Sequence, residues 1–286
     1  MSQRRVVLLT ALALAAFAGN SLLCRVALRS AALDAASFTS IRLLSGALAL
    51  AIIVRLRDAA ASGVGNWTSA LALFAYAAGF SFAYLSLTAA TGALLLFAAV
   101  QATMIGWGLW RGERLHRRHL AGFLLALGGL CGLLLPGLSR PPLAGSLLML
   151  GAGVAWGVYS LRGRGAGDPT RVTAGNFARA LPFALALDLA LHPVPPHALT
   201  GIGYAVASGA LASGVGYAIW YTVLPALRAT SAATVQLAVP VLAAAGGVAF
   251  LGERPTLRLL VAAVAILGGI AMVVVPDRPA AARSRD

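Results

Sequence analysis

The sequence predicts an all-α integral membrane protein: ten transmembrane helices, arranged as two inverted five-helix repeats around a central cavity. Three observations lead there. The chain is 60% hydrophobic and only 10% charged, whereas a soluble domain carries about 25% charged residues. Apolar runs long enough to span a bilayer, about 20 residues each, recur along its whole length. The first half also returns, altered, as the second.

The runs cover roughly 6–24, 36–54, 67–87, 90–110, 119–137, 142–161, 172–191, 199–222, 229–251 and 256–275 of the 286 residues. They leave no stretch for a soluble domain. The first run begins like a signal peptide, with Arg4, Arg5, an apolar stretch and Ala16-Phe17-Ala18. It continues through Cys24, however, and has a counterpart in the second half, so it is read as a retained span. Cys24 and Cys131 show neither ligand spacing nor a disulfide framework and are read as packing residues.

The 22 basic residues are all Arg and give a formal charge of +14. In a soluble protein that excess would point to nucleic acid; here the arginines lie mostly in short connections and report topology. With the N-terminus inside, inner segments hold Arg4, Arg5, the clusters Arg55–Arg57 and Arg111–Arg118, then Arg162, Arg164, Arg171, Arg228 and the tail. Only Arg25, Arg29, Arg140, Arg254 and Arg258 fall outside. This bias places both termini in the cytoplasm. No nucleic-acid partner is expected.

The repeat is clearest where "RGERLHRRHLAGFLLALGGLCGLLLPG" (111–137) aligns without gaps on "LGERPTLRLLVAAVAILGGIAMVVVPD" (251–277). Gly112-Glu113-Arg114 matches Gly252-Glu253-Arg254, and Gly128-Gly129 matches Gly268-Gly269. Upstream, "IRLLSGALALA" sets Arg42 against Arg179 of "FARALPFALAL". The unit boundaries follow: 1–140 for the first repeat, 141–277 for the second, and 278–286 for a short basic cytoplasmic tail. Five is odd, so the second unit starts on the opposite side of the membrane from the first. Inverted repeats of this kind build many secondary transporters.

An Arg early in the second helix, a Pro-containing fourth helix ("LAVPVLAAAGGVAFLGERP"), Gly-Glu-Arg and a Gly-rich fifth helix together resemble the drug/metabolite transporter superfamily, specifically its EamA-type members. The resemblance covers nearly the whole chain. It implies ten helices around a cavity and movement of small metabolites, and the branch most resembled is that of bacterial aromatic amino-acid exporters. One departure stands out: Val100-Gln101 occupies the place of Pro240-Val241.

Candidate residues follow from what hydrocarbon cannot satisfy. Asn20 and Gln101 carry amide donors inside spans and are candidates for a substrate's polar end. Tyr76, Phe80 and Tyr84, spaced i, i+4, i+8, share a helix face, and Trp156, Tyr159 and Tyr217 add aromatic faces beside Gly157 and Gly216. Such a lining suits aromatic or cationic amphiphiles. Arg42 and Arg179 either bond helix-end carbonyls or attract an anionic group, and their matching positions favour the first role. Glu113 and Glu253 read as loop braces that cap a helix or pair with an Arg; Pro182 and Pro240 interrupt spans 7 and 9.

The expected function is export of small metabolites, amino acids with aromatic side chains foremost, by alternating access. Other amino acids, or cationic and aromatic drugs coupled to protons, are the alternative. Asp188 is the only acidic residue within the spans, near a span end, so no buried proton carrier is evident and transport down a gradient is favoured. No Ser/His/Asp or paired-carboxylate set marks an enzyme, and the spans are too apolar for a channel pore. Neither a cofactor nor a metal is expected. Partners are a small molecule (an amino acid or aromatic amphiphile) and membrane lipid, in a monomer or weak homodimer of the bacterial inner membrane.

Overall fold

A computed structural model describes residues 1–30, 33–57, 63–112, 117–135, 140–163, 167–191, 199–227 and 235–274. Among them run ten helices: α1 (Gln3–Arg29), α2 (Ala35–Leu56), α3 (Trp67–Tyr84), α4 (Ala89–Trp110), α5 (Arg117–Leu134), α6 (Leu143–Arg162), α7 (Pro169–Leu191), α8 (Leu199–Ala226), α9 (Ala238–Leu251) and α10 (Leu257–Val274). No strand occurs among the described residues. Seven of the helices are long and apolar enough to cross a membrane; α3, α9 and α10 are not among those seven.

Helix starts are set by side chains that accept otherwise unpaired backbone N–H groups. Asp34 accepts from Ser37 N at 2.8 Å, Asn66 from Ser69 N at 2.8 Å, Thr88 from Thr91 N at 3.2 Å and Asp168 from Arg171 N at 2.8 Å. Pro169, first residue of α7, needs no such partner. Pro182 lies inside α7 with its ring exposed. Near Pro240 the expected span 229–251 is interrupted: residues 235–236 are helical, Leu237 is a turn residue, and α9 begins at Ala238.

Large apolar side chains point outward over the whole bundle, among them Leu48, Ile52, Leu124, Leu185, Leu211 and Val264. Water would not tolerate so continuous an apolar surface, and lipid favours it. Of the seven long helices α4 is the most buried and α5 the least. Helix α5 pairs chiefly with α10 at the bundle's edge. Gly129 and Gly269 let the two approach, since a Cβ on Gly129 would stand 2.8 Å from that of Ala265. Gly128 and Gly268 face open space instead. Arg258, at the start of α10, donates to the carbonyls of Gly132 (2.9 Å) and Leu135 (2.6 Å) at the end of α5, so the pair runs antiparallel.

The other principal packing pairs are α2–α7, α3–α6, α4–α6, α2–α8, α1–α8, α1–α9, α3–α7 and α4–α9. Polar ties hold helix ends together in two groups. Arg57, after α2, donates to Thr170 of α7 (2.8 Å) and Thr222 of α8 (3.4 Å), while Arg162 of α6 reaches Ser69 of α3 at 3.2 Å. At the opposite end Arg25 of α1, Tyr84 of α3, the start of α4 and the end of α9 converge.

Candidate functional site

Where α1, α3, α4, α6 and α8 face one another, they line a small, partly open cavity of about 30 Å³, room for no more than a few waters. Tyr76 and Phe80 of α3, Trp156 of α6 and Tyr217 of α8 form its aromatic walls, with Phe17 and Phe97. Ring centroids lie 4.8 Å apart for Tyr76–Trp156 and 5.2 Å for Trp156–Tyr217, continuous edge-and-tilt packing. Its polar lining comes from Asn20, Ser21, Tyr76, Tyr217 and Gln236.

Behind Tyr76 and Phe80 lies Arg42, only 1% exposed. Its guanidinium carbon stands 5.1 Å from the Tyr76 ring centroid and 4.9 Å from that of Phe80. Each desolvated contact of this kind contributes about 2 kcal/mol. Arg42 Nη2 donates to the Tyr76 hydroxyl at 3.0 Å and Nε to Ser213 Oγ at 3.3 Å, but Nη1 has no partner. No carboxylate among the described residues balances this charge; the nearest ionisable side chains are Tyr76, Tyr217 and Cys24. Asn20 Nδ2 approaches the same Tyr76 hydroxyl at 3.4 Å, and Asn20 Oδ1 accepts from Ser208.

Helix α8 supplies both serines through an irregularity. It winds as an α-helix to Ala207, as a π-helix from Ser208 to Val215, and as an α-helix again from Gly216. Residues five apart lie about 140° from each other around an α-helix but are directly linked along a π-helix. Ser208 and Ser213 thus serve neighbouring partners. Gly209 permits the approach, because a Cβ there would overlap the Arg42 carbonyl and Ser45 Oγ.

A second arginine shows the contrasting arrangement. Arg25 is buried and forms an ion pair with Glu253, Nε to Oε1 at 3.4 Å, while its Nη1 donates to the Tyr84 carbonyl at 2.9 Å. Glu253 also accepts from Ala89 N at 2.9 Å and so caps α4. Gly252 makes this possible: its φ of 63° ends α9 with a left-handed residue, and Glu253 N returns to the Gly247 carbonyl. The carboxylate therefore meets Arg25 across the fold rather than its neighbour Arg254.

Of the residues singled out by sequence, Asn20, Tyr76, Phe80, Trp156 and Tyr217 line the cavity together. Tyr84 lies one turn beyond, its ring against Phe80 and its hydroxyl near the Ala89 carbonyl. Tyr159 stacks behind Trp156 and bonds Thr173 and Asn176. Gln101 is buried in α4, outside the lining. Half-buried Arg179 donates to the carbonyls of Val64 and Gly175. Glu113 lies outside the described residues. Gln236 and Ser213 carried no signal beyond being polar.

An all-helical chain with seven membrane-length spans and a polar-aromatic interior cavity is a multi-span membrane protein. Residues 143–275 match the model of the EamA-like transporter family. An uncharacterized protein of Pseudomonas aeruginosa, PA1977, is 58% identical over 284 residues, covering 99% of each chain. One solved crystal structure superposes with a TM-score of 0.67 at 21% identity, over 95% of this chain and 98% of that one, a likeness of fold alone. Residues 143–275 thus carry an EamA-like transporter domain, of a family that moves small molecules.

Proposed function

We propose that the chain is a ten-pass secondary transporter moving small organic molecules with an aromatic or apolar body, amino acids with aromatic side chains among them, out of a bacterial cell by alternating access. The carrying observation is an exchange symmetry in the packing. Swapping α1–α5 for α6–α10 turns α3–α6 into α8–α1, α4–α6 into α9–α1 and α2–α8 into α7–α3, while α2–α7, α4–α9 and α5–α10 return to themselves. Two halves of five helices related in this way, and opposite in orientation, have two states of similar energy.

The end ties agree with ten alternating spans, because each joins ends that the N-inside topology puts on one side. That topology makes the Arg25–Glu253 end external and keeps both termini in the cytoplasm. The cavity is far smaller than the sites that hold small organic ligands, so it must widen to take a substrate. None of the residues lining it is acidic, which favours movement down a gradient over proton coupling.

Uptake of radiolabelled Phe, Trp, Thr and a cationic dye into liposomes holding the purified protein tests this reading. Saturable Phe or Trp entry, unaffected by a proton gradient, is expected; entry of the dye alone, driven by protons, contradicts it. Cysteine cross-links tying α4 to α9 at both ends should stop transport, and unchanged flux would contradict alternating access.

A further inference from the structure

Resting on that transporter reading, we infer that Arg42 is the anchor for a carboxylate on the transported molecule, and that the substrate is a small organic monoanion with an aromatic or apolar body. A deeply buried guanidinium ordinarily directs its donors at protein acceptors, as Arg25 directs Nε at Glu253 and Nη1 at the Tyr84 carbonyl. Arg42 does not: Nη1 is unpartnered, and no described carboxylate faces it.

The groups around it have unused donor capacity. The Tyr76 hydroxyl accepts from Arg42 Nη2 and lies within reach of Asn20 Nδ2, which occupies its lone pairs and leaves its own proton to donate. One of the two lone pairs of Asn20 Oδ1 is already taken by the Ser208 hydroxyl. The rings of Tyr76 and Phe80 line the cavity and also lie against the guanidinium. A molecule that enters by parting those rings meets a positive, donor-rich face.

That face discriminates by charge. In a low-dielectric interior Arg42 attracts an anion and repels a cation, which disfavours cationic drugs. A zwitterion gains the carboxylate contact, but its ammonium finds no acidic residue in the lining. A carboxylate lacking the amino group satisfies the orphaned donor and leaves no charge of its own unpaired. The acid is therefore preferred over its amide, its amine and its amino-acid counterpart.

The test uses full-length protein and four probes of one shape: 3-phenylpropanoate, 3-phenylpropanamide, phenethylamine and phenylalanine. Counterflow in proteoliposomes should favour the acid over each of the others by at least tenfold. Arg42→Gln should abolish that preference, and Arg42→Lys should keep part of it in a protein that elutes as a single species. An acid preference that survives in R42Q overturns the inference, as does wild-type preference for the amide, amine or amino acid; transport itself would still stand. Thermal stabilisation in detergent separates the two readings where no probe moves. Stabilisation of wild type, but not R42Q, by the acid alone upholds the anion site and removes the transport reading. No such stabilisation, with no acid flux, overturns the inference.

Discussion

Arg42 and Arg179 occupy matching places in the two halves of the sequence, yet the fold uses them in opposite ways. Arg179 is half-buried in the middle of α7 and donates to carbonyls of its own helix and of the segment before α3. Arg42 is enclosed, set against two aromatic rings, and left with a nitrogen that bonds nothing. The acceptors within reach of each arginine fix what it does. Arg179 finds two backbone carbonyls, whereas Arg42 finds the Tyr76 hydroxyl, Ser213 and two rings that line the cavity. Arg25, also buried but paired with Glu253, shows what Arg42 would look like as a structural residue.

The contrast can be broken by substitution. The largest effect on stability is expected from Glu253→Ala, which strands the Arg25 charge and uncaps α4. Removing one partner of a buried pair costs about 3–5 kcal/mol, read as a lowered unfolding midpoint in detergent. Arg42→Met should behave differently. It strands no carboxylate, and replacing a buried charge by an apolar side chain is often neutral or stabilising. Relief of the buried charge, worth about 1–4 kcal/mol in such exchanges, should offset the lost ring contacts, so its unfolding midpoint should not drop as that of the Glu253 variant does, while acid transport is lost. A loss as large as that of the Glu253 variant would make Arg42 a structural residue.

Smaller effects sharpen the comparison. Arg179→Ala should cost about 1 kcal/mol, the scale of a lost hydrogen bond partly replaced by water, with no change in probe preference. Ser213→Ala removes one neutral acceptor from Arg42 and should weaken acid binding by less than about 1.5 kcal/mol, the upper range for such a bond. Titration calorimetry with 3-phenylpropanoate reads both. A Ser213 variant that lost all preference would shift the anion's anchor from Arg42 to α8.

Much of the fold was legible because hydrocarbon imposes length and composition on whatever crosses it. The apolar runs at 36–54 and 142–161 became α2 and α6 with modest shifts at their ends. The i, i+4 spacing of Tyr76 and Phe80 placed both on the cavity wall, and the next step of that stripe, Tyr84, carried past it to the end of the helix. Asn20 was legible from its cost in lipid. Other parts were not. Arg25 and Glu253 are 228 residues apart, and nothing local in "LGERP" distinguishes Arg25 from the adjacent Arg254 as a partner. Ser208 and Ser213 act together only because α8 changes its winding, which no residue pattern announces. The match between Arg42 and Arg179 itself pointed away from a binding role.

The most direct measurement is the ratio of 3-phenylpropanoate to 3-phenylpropanamide counterflow in wild type, R42Q and R179Q, side by side in the same liposomes. A ratio that falls toward one in R42Q, and holds in R179Q, is the predicted result. A ratio that falls equally in both variants, or in neither, would contradict an anion site at Arg42.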